Sequence, residues 1–293
     1  MNRLSDFLLL LSSCRGLTPS SIRKIFHSHS SYDLISKRTP AIFLETVPES
    51  SRQAFLYDFR NLKPAHLRKE LLASGISFLT IHDTSYPDLL KQIPDPPLFL
   101  FCIGDTGLLN EKLLFGVAGA RKASPYGLKA LEKVLPPLIR MKMVIVSGLA
   151  EGIDTAAHAA AISHGGRTIA VLGGGFRHIY PASNRQLAKA ISKDHLLLSE
   201  YAPHVRPQKW HFPERNRIIS GLSMGVLVAE AKQRSGSLIT AQAAMEQGRD
   251  VFAIPGSILS GLSEGTHALI NDGARLVTCA EDILEELLGL QWV

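Results

Sequence analysis

From about residue 111 onward, apolar runs of strand length give way to small residues and then to amphipathic stretches, and the cycle repeats several times. The runs are "LLFGVAGA" at 113–120, "MVIVSGLA" at 143–150, "TIAVLGG" at 168–174, "LLLSEY" at 196–201, "GVLVAEA" at 225–231, "VFAIPG" at 251–256 and "ARLVT" at 274–278. Their hydrophobicity is nearly continuous rather than alternating, as strands covered on both faces require, and the amphipathic stretches between them supply crossover helices. The pattern therefore predicts an α/β fold: a doubly wound, mostly parallel sheet of extended Rossmann-like type.

The preceding part of the chain reads differently. Residues 1–60 carry helical patterns without good strands, and Thr18-Pro19 after Gly16 marks a helix start, so a small helical domain is expected there. The main domain is expected over 61–293. Its entry contains a short helix, a strand "ISFLTI" at 76–81, and the proline-rich "YPDLLKQIPDPPLFLFCIGD" at 86–105, in which Pro94, Pro96 and Pro97 prevent a continuous helix.

Composition adds a direction. The 293 residues carry a net charge of +6, and the excess sits in the middle: residues 101–250 hold 19 lysines and arginines against 11 acidic residues, while the last 43 hold 1 against 6. A basic central region suits an anionic partner. The three cysteines, Cys14, Cys102 and Cys279, are far apart and form no C-x-x-C pair, which points to buried thiols in a reducing cytosol. The histidines form no H-E-x-x-H and no Cys/His cluster, so neither a metal nor another cofactor is expected. The apolar run Phe7–Leu11 is too short for a signal peptide, and no membrane span is predicted.

In an open α/β sheet the strand-end turns gather at the carboxyl edge, where ligands bind. Gly119, Gly148, Gly173 to Gly175, Gly236 and Gly256 all follow strand candidates, and Arg121, Lys122, Arg177, Arg215, Arg217, Lys232 and Arg234 lie on or near the same edge. Arginine forks and unpaired backbone N–H groups together suit phosphate. The turn Ser235-Gly236-Ser237 before a helix fits two descriptions, a plain N-cap or a phosphate cradle. Asp154 and Glu151 are placed at a helix start, where carboxylates suit the dipole, and His158, one turn after Asp154, reads as a structural histidine bonded to it rather than a general base. Phe176 is a candidate for stacking a base, or else a core aromatic.

Seven stretches now align with a known family. "IPDPPLFLFCIGD", "VAGARKASPYG", "SGLAEGIDTAAH", "GFRHIYPASN", "FPERNRIISGLS", "EAKQRSGSLITAQAAMEQGRDVFAIPG" and "GTHALINDGARLV" resemble, in this order, the DprA/Smf DNA-processing proteins of bacteria, over about residues 70–288. The resemblance implies a cytoplasmic homodimer, not an enzyme, that binds and protects single-stranded DNA without sequence specificity. It also implies loading of RecA recombinase onto that DNA during natural transformation and recombination. DNA-binding positions implied by the resemblance are Gly119, Arg121, Ser124, Arg215, Asn216, Arg217, Ser235, Gly236 and Ser237; the strand-end reading adds Lys122, Gly148, Gly173, Gly174, Phe176 and Arg177. In the family's glycine-serine-arginine motif, Ala120 stands where serine is usual, which removes one hydroxyl donor. Leu262, Leu269 and Ile270 are the apolar candidates for the dimer contact. The competing reading is a nucleoside-monophosphate phosphoribohydrolase of the lysine-decarboxylase-like class. Aligned on Gly236 and Thr240, its catalytic glutamate falls on Ala243, with Glu246 almost one helical turn further on.

Overall fold

The computed structural model describes residues 3–28 and 40–289. Part of the expected N-terminal helical segment, 29–39, lies outside the described residues. Among the described residues nine strands form one sheet: β1 Ser77–Thr80, β2 Phe99–Gly104, β3 Leu114–Ala118, β4 Val144–Ser147, β5 Thr168–Leu172, β6 Leu196–Ser199, β7 Gly225–Val228, β8 Asp250–Ala253 and β9 Arg275–Leu276. Their spatial order is β1-β2-β6-β5-β4-β3-β7-β8-β9. From β6 to β9 every pairing is parallel, and β3 is the start point from which the chain winds first toward β6 and then, after crossing back, toward β9. The switch point of this doubly wound sheet therefore lies where β3 meets its neighbours, at their carboxyl ends.

The near-continuous apolar runs are explained by alternation across two covered faces. Phe115, Val117 and Ile145 face the helices Pro125–Arg140, Ile153–Ser163 and Glu281–Leu288, whereas Leu114, Val144 and Val146 face the helix His211–Leu222. Helices Gly236–Glu246 and Glu264–Asn271 extend that second layer over β7 and β8.

Sequence patterning missed one strand. The segment after the prolines is not only a lead-in, because Phe99–Gly104 pairs antiparallel with both β1 and β6 and so extends the parallel sheet. Prolines at 94, 96 and 97 end just before it, where they take no ladder hydrogen bond away.

The described N-terminal segments are helical, at Arg3–Ser13, Pro19–Ser28, Ala41–Leu44 and Arg52–Asn61. The helix start expected at Thr18-Pro19 is present: Thr18 N–H donates to Ser21 Oγ at 2.9 Å and Ser21 N–H to Thr18 Oγ1 at 3.1 Å, a reciprocal cap. These helices are not separate from the sheet in packing. Leu8, Leu11, Ile22, Phe43 and Phe55 share one core with Phe99 and Phe101 of β2, and Phe78 of β1 stacks on Phe99 at 5.6 Å.

Candidate nucleic-acid interface

Each of β3, β4 and β5 ends in a glycine-led turn, and those after β3 and β4 border a cleft of about 520 Å³ at the switch point, closed on its other side by the helices His211–Leu222 and Gly236–Glu246. Its lining includes Gly119, Arg121, Lys209, Arg215, Asn216 and the turn Ser235-Gly236-Ser237. Seven of the sequence-predicted positions thus come together at one place, although they are up to 118 residues apart in the chain.

Arg215 forms the floor. Its side chain is 5% exposed, and its guanidinium donates to the carbonyls of Gly148 and Val171. A β-carbon at position 148 would lie 2.3 Å from the guanidinium nitrogens, so Gly148 serves the site by leaving room for Arg215 rather than by facing the cleft. Burial pulls the Arg215 pKa down to about 10, opposed by the nearby Asp154 carboxylate, so the cation persists at neutral pH. Asp154, also buried, is pushed up by desolvation while Arg215 and the N–H groups of Gly148 and Ala150 hold it back.

Asn216 ties the two helices together, its Nδ2 donating to the Gly236 carbonyl at 3.1 Å. The question of Ser235-Gly236-Ser237 then has a geometric answer. Ser235 occupies the N-cap position but neither serine caps the helix through its side chain; the two hydroxyls lie 2.8 Å from each other instead. A β-carbon at Gly236 would meet nothing within 4 Å. The turn therefore offers the uncapped positive end of an 11-residue helix to open space beside Arg121 and Arg215.

Aromatic rings flank these cations. The Arg121 guanidinium carbon lies 5.7 Å from the Phe212 ring centre, and Tyr180, 55% exposed, lies 5.6 Å from Phe212. Sequence reasoning missed Tyr180, Lys209 and Phe212. Phe212 stands three residues before Arg215 on the same helix, so asking which neighbours share its face would have found it, whereas Lys209 lies in the turn before that helix.

Other predicted positions lie elsewhere. Phe176, the stacking candidate, is half-buried and packs against both the N-terminal core and the core beneath the helix Arg185–Asp194. Arg177 borders a separate cavity with Leu9 and His204. Gly173 lies beneath the Phe212 ring and Gly174 against Pro207. Lys122 is exposed outside the cleft lining. Ser124 caps the helix Pro125–Arg140, accepting from Gly127 N–H at 3.1 Å, and its own N–H donates to Glu230 at 2.9 Å. Arg217 points away from the cleft. On a helix, residues two apart are rotated by about 200°, so Arg215 and Arg217 cannot share a face. Arg217 pairs instead with Glu200 at 2.6 Å.

Three smaller expectations are corrected. His158 does not bond Asp154; its Nδ1 lies 2.6 Å from Thr168 Oγ1, and burial lowers its pKa to about 3, so it is a neutral core histidine. Glu151 precedes the helix Ile153–Ser163 and accepts from Ser183 instead. Leu269 is 6% exposed in the core over β7 and β8, so it is no surface contact; the exposed apolar residues nearby are Ile258 and Leu259. Glu246, the nearest stand-in for a hydrolase glutamate, is exposed, accepts from Gln242 and is not part of the cleft lining. Among the described residues no group of three or more histidine, cysteine or acidic side chains is arranged to hold a metal, and no helix is long and apolar enough to cross a membrane.

The fold and cleft define the class, an extended Rossmann-like α/β protein with a basic, aromatic-flanked cleft at its switch point. Comparison with known proteins gives the family. Residues 77–288 match the family model described as DNA recombination-mediator protein A. The DNA processing protein DprA of Streptococcus pneumoniae R6 is 50% identical over 254 residues, 87% of this chain and 84% of the relative. DprA of Bacillus subtilis 168 is 44% identical over 271 residues, 92% of this chain and 91% of that one. The solved structure of S. pneumoniae DprA superposes with a TM-score of 0.80 at 45% identity, covering 96% of each chain. Helicobacter pylori DprA, whose structure is described for its single-stranded DNA binding mode, superposes at 0.66 and 30% identity, covering 73% of this chain and 96% of that one. The chain belongs to the DprA/Smf family of DNA-processing proteins.

Proposed function

We propose that this protein binds and protects single-stranded DNA through the switch-point cleft, without sequence preference, and loads RecA recombinase onto it during DNA uptake and recombination. The observation that carries the DNA-binding part is the convergence of Arg121, Lys209, Arg215 and the uncapped start of the helix Gly236–Glu246 in one cleft beside the exposed ring of Tyr180. Cations and backbone N–H groups bind successive phosphates whatever the base, and an exposed ring stacks any unpaired base, a combination that favours a single strand over a duplex. The structure described for its DNA binding mode in a relative supports the same reading. RecA loading, a role in transformation, a cytoplasmic location and a homodimer rest on family membership. For the dimer, Ile258 and Leu259, 89% and 91% exposed, replace Leu269 as apolar contacts, and a Leu259→Glu variant is expected to shift light scattering toward the monomer. Binding rather than hydrolysis is supported by Ala243 at the position aligned with the phosphoribohydrolase glutamate, while the carboxylate in the cleft lining, Asp154, is buried and held by the N–H groups of Gly148 and Ala150.

A gel-shift titration with single-stranded and duplex DNA at two salt concentrations tests this reading. Equal affinity for the two forms would sink it. The sharper arm uses Arg121→Ala. Arg121 is exposed, so the melting temperature should hold, while affinity for every single-stranded sequence falls together and the slope of log affinity against log salt drops by ~0.7, one phosphate contact.

A further inference from the structure

Between the N-terminal helices and the sheet lies a cluster of alternating charges that the cleft does not contain. Arg23, on the helix Pro19–Ser28, is 4% exposed; its Nη1 donates to Glu200 Oε1 and its Nε to Asp95 Oδ1 at 2.7 Å. Glu200, just after β6 and 1% exposed, gives its other oxygen, Oε2, to Arg217 at 2.6 Å. Arg217 Nη1 closes the circuit on the Asp95 carbonyl at 2.6 Å, and its Nε lies 3.6 Å from the Asp95 carboxylate. Two arginines and two carboxylates balance in charge and join four segments. One of these is the helix His211–Leu222, which carries Arg215 and Asn216 into the cleft from its opposite side.

A buried ion pair is often worth little in net stability, because desolvation offsets the Coulomb attraction, yet losing one partner is severe. What such a cluster specifies best is geometry. Arg217 is seated by two carboxylates and a carbonyl, and a rigid helix transmits that seat half a turn round to Arg215 and Asn216. We propose that the Arg23–Asp95–Glu200–Arg217 quartet is a positioning device: it docks the N-terminal helices and, through Arg217, holds the helix His211–Leu222 in the setting that shapes the DNA cleft. This rests on the cleft being the DNA site. It assigns Arg217 to positioning rather than to phosphate contact, and it gives the N-terminal helices a part in DNA binding although Arg23 lies outside the cleft lining.

The test compares Arg23→Met, Arg217→Met, Glu200→Gln and the charge-balanced double variant Glu200→Gln/Arg217→Met, in the full chain, by single-stranded DNA titration over a salt series and by amide hydrogen exchange. Each single variant is expected to weaken binding roughly 3- to 10-fold with an unchanged salt slope. In Arg23→Met, amides of 211–222 should exchange several-fold faster, roughly, although the substitution is on another element. The double variant, which keeps the Arg23–Asp95 pair, should bind no worse than the poorer single variant. A salt slope lowered by ~0.7 in Arg217→Met, with losses that add in the double variant, would make Arg217 a phosphate contact and overturn the proposal. Unchanged exchange over 211–222, or faster exchange with no loss of affinity, would overturn it as well. The exchange arm needs no DNA, so a failure of the unaltered protein to bind single strands would be recognised separately as a failure of the cleft reading.

Discussion

Two arginines on one helix, the buried Arg215 and the half-buried Arg217, meet opposite surroundings. Arg215 lies over Gly148 with carbonyls for partners and a single carboxylate, Asp154, nearby; its charge is under-compensated and its pKa falls to about 10. Arg217 sits between Glu200 and Asp95, where its charge is fully answered. The first region is a cation at the floor of a cleft, and the second is a charge-balanced cluster between segments, with Asp95 at its half-exposed edge. The difference teaches that residue type and burial do not distinguish an arginine placed at a cleft from one tied into a charge cluster. The count of opposing charges and the presence of open space do.

The largest expected effect breaks the first region at its floor. Arg215→Met leaves Asp154 buried without its counter-charge and should cost ~3–5 kcal/mol of stability. The sign with pH follows from Asp154, whose folded pKa is already raised by burial and rises further without Arg215. Such a group favours the folded state fully below its unfolded pKa of about 3.9 and loses that contribution as pH climbs through the folded value. The melting-temperature deficit of the variant should therefore be smaller at pH 5 than at pH 8. A deficit that is flat across this range would mean that Asp154 does not depend on Arg215.

Next comes the rim. Tyr180→Ala removes an exposed ring that rests on Phe212, and affinity for single strands should fall by ~1–3 kcal/mol, measured by anisotropy, with the salt slope intact because no charge is lost. If the slope changes and the affinity does not, the ring plays no stacking role.

The smallest effects mark where the cleft ends. Ser124→Ala removes the cap of the helix Pro125–Arg140 and should lower stability by ~1 kcal/mol in a thermal melt while leaving DNA affinity alone. Lys122→Ala should change both by less than ~0.5 kcal/mol. Should Lys122→Ala lower the salt slope by one phosphate contact, the DNA path runs past the lip formed by Arg121.

Much of this was legible in the chain. Continuous apolar runs of strand length fit strands covered on both faces, and strands that repeat with crossover helices place their end turns on one edge, so Gly119, Arg121, Arg215 and Ser235-Gly236-Ser237 are legible in the sequence as positions near that edge. Periodicity alone also implies that Arg215 and Arg217 face apart, although the "RNR" element reads in sequence as one unit. What the sequence could not show was which of the two faces the cleft, because that depends on Glu200 and Asp95, brought to Arg217 by β6 and by the turn before β2. For the same reason Phe176 rests half-buried against the N-terminal core while Tyr180 stands exposed at the rim: packing against the N-terminal helices covers part of one ring and leaves the other open. Local pattern determines elements, edges and helix faces because these follow from short-range backbone geometry. Partners of buried charge and the exposure of rings are set by contacts between distant segments, and those exist only once the sheet has assembled.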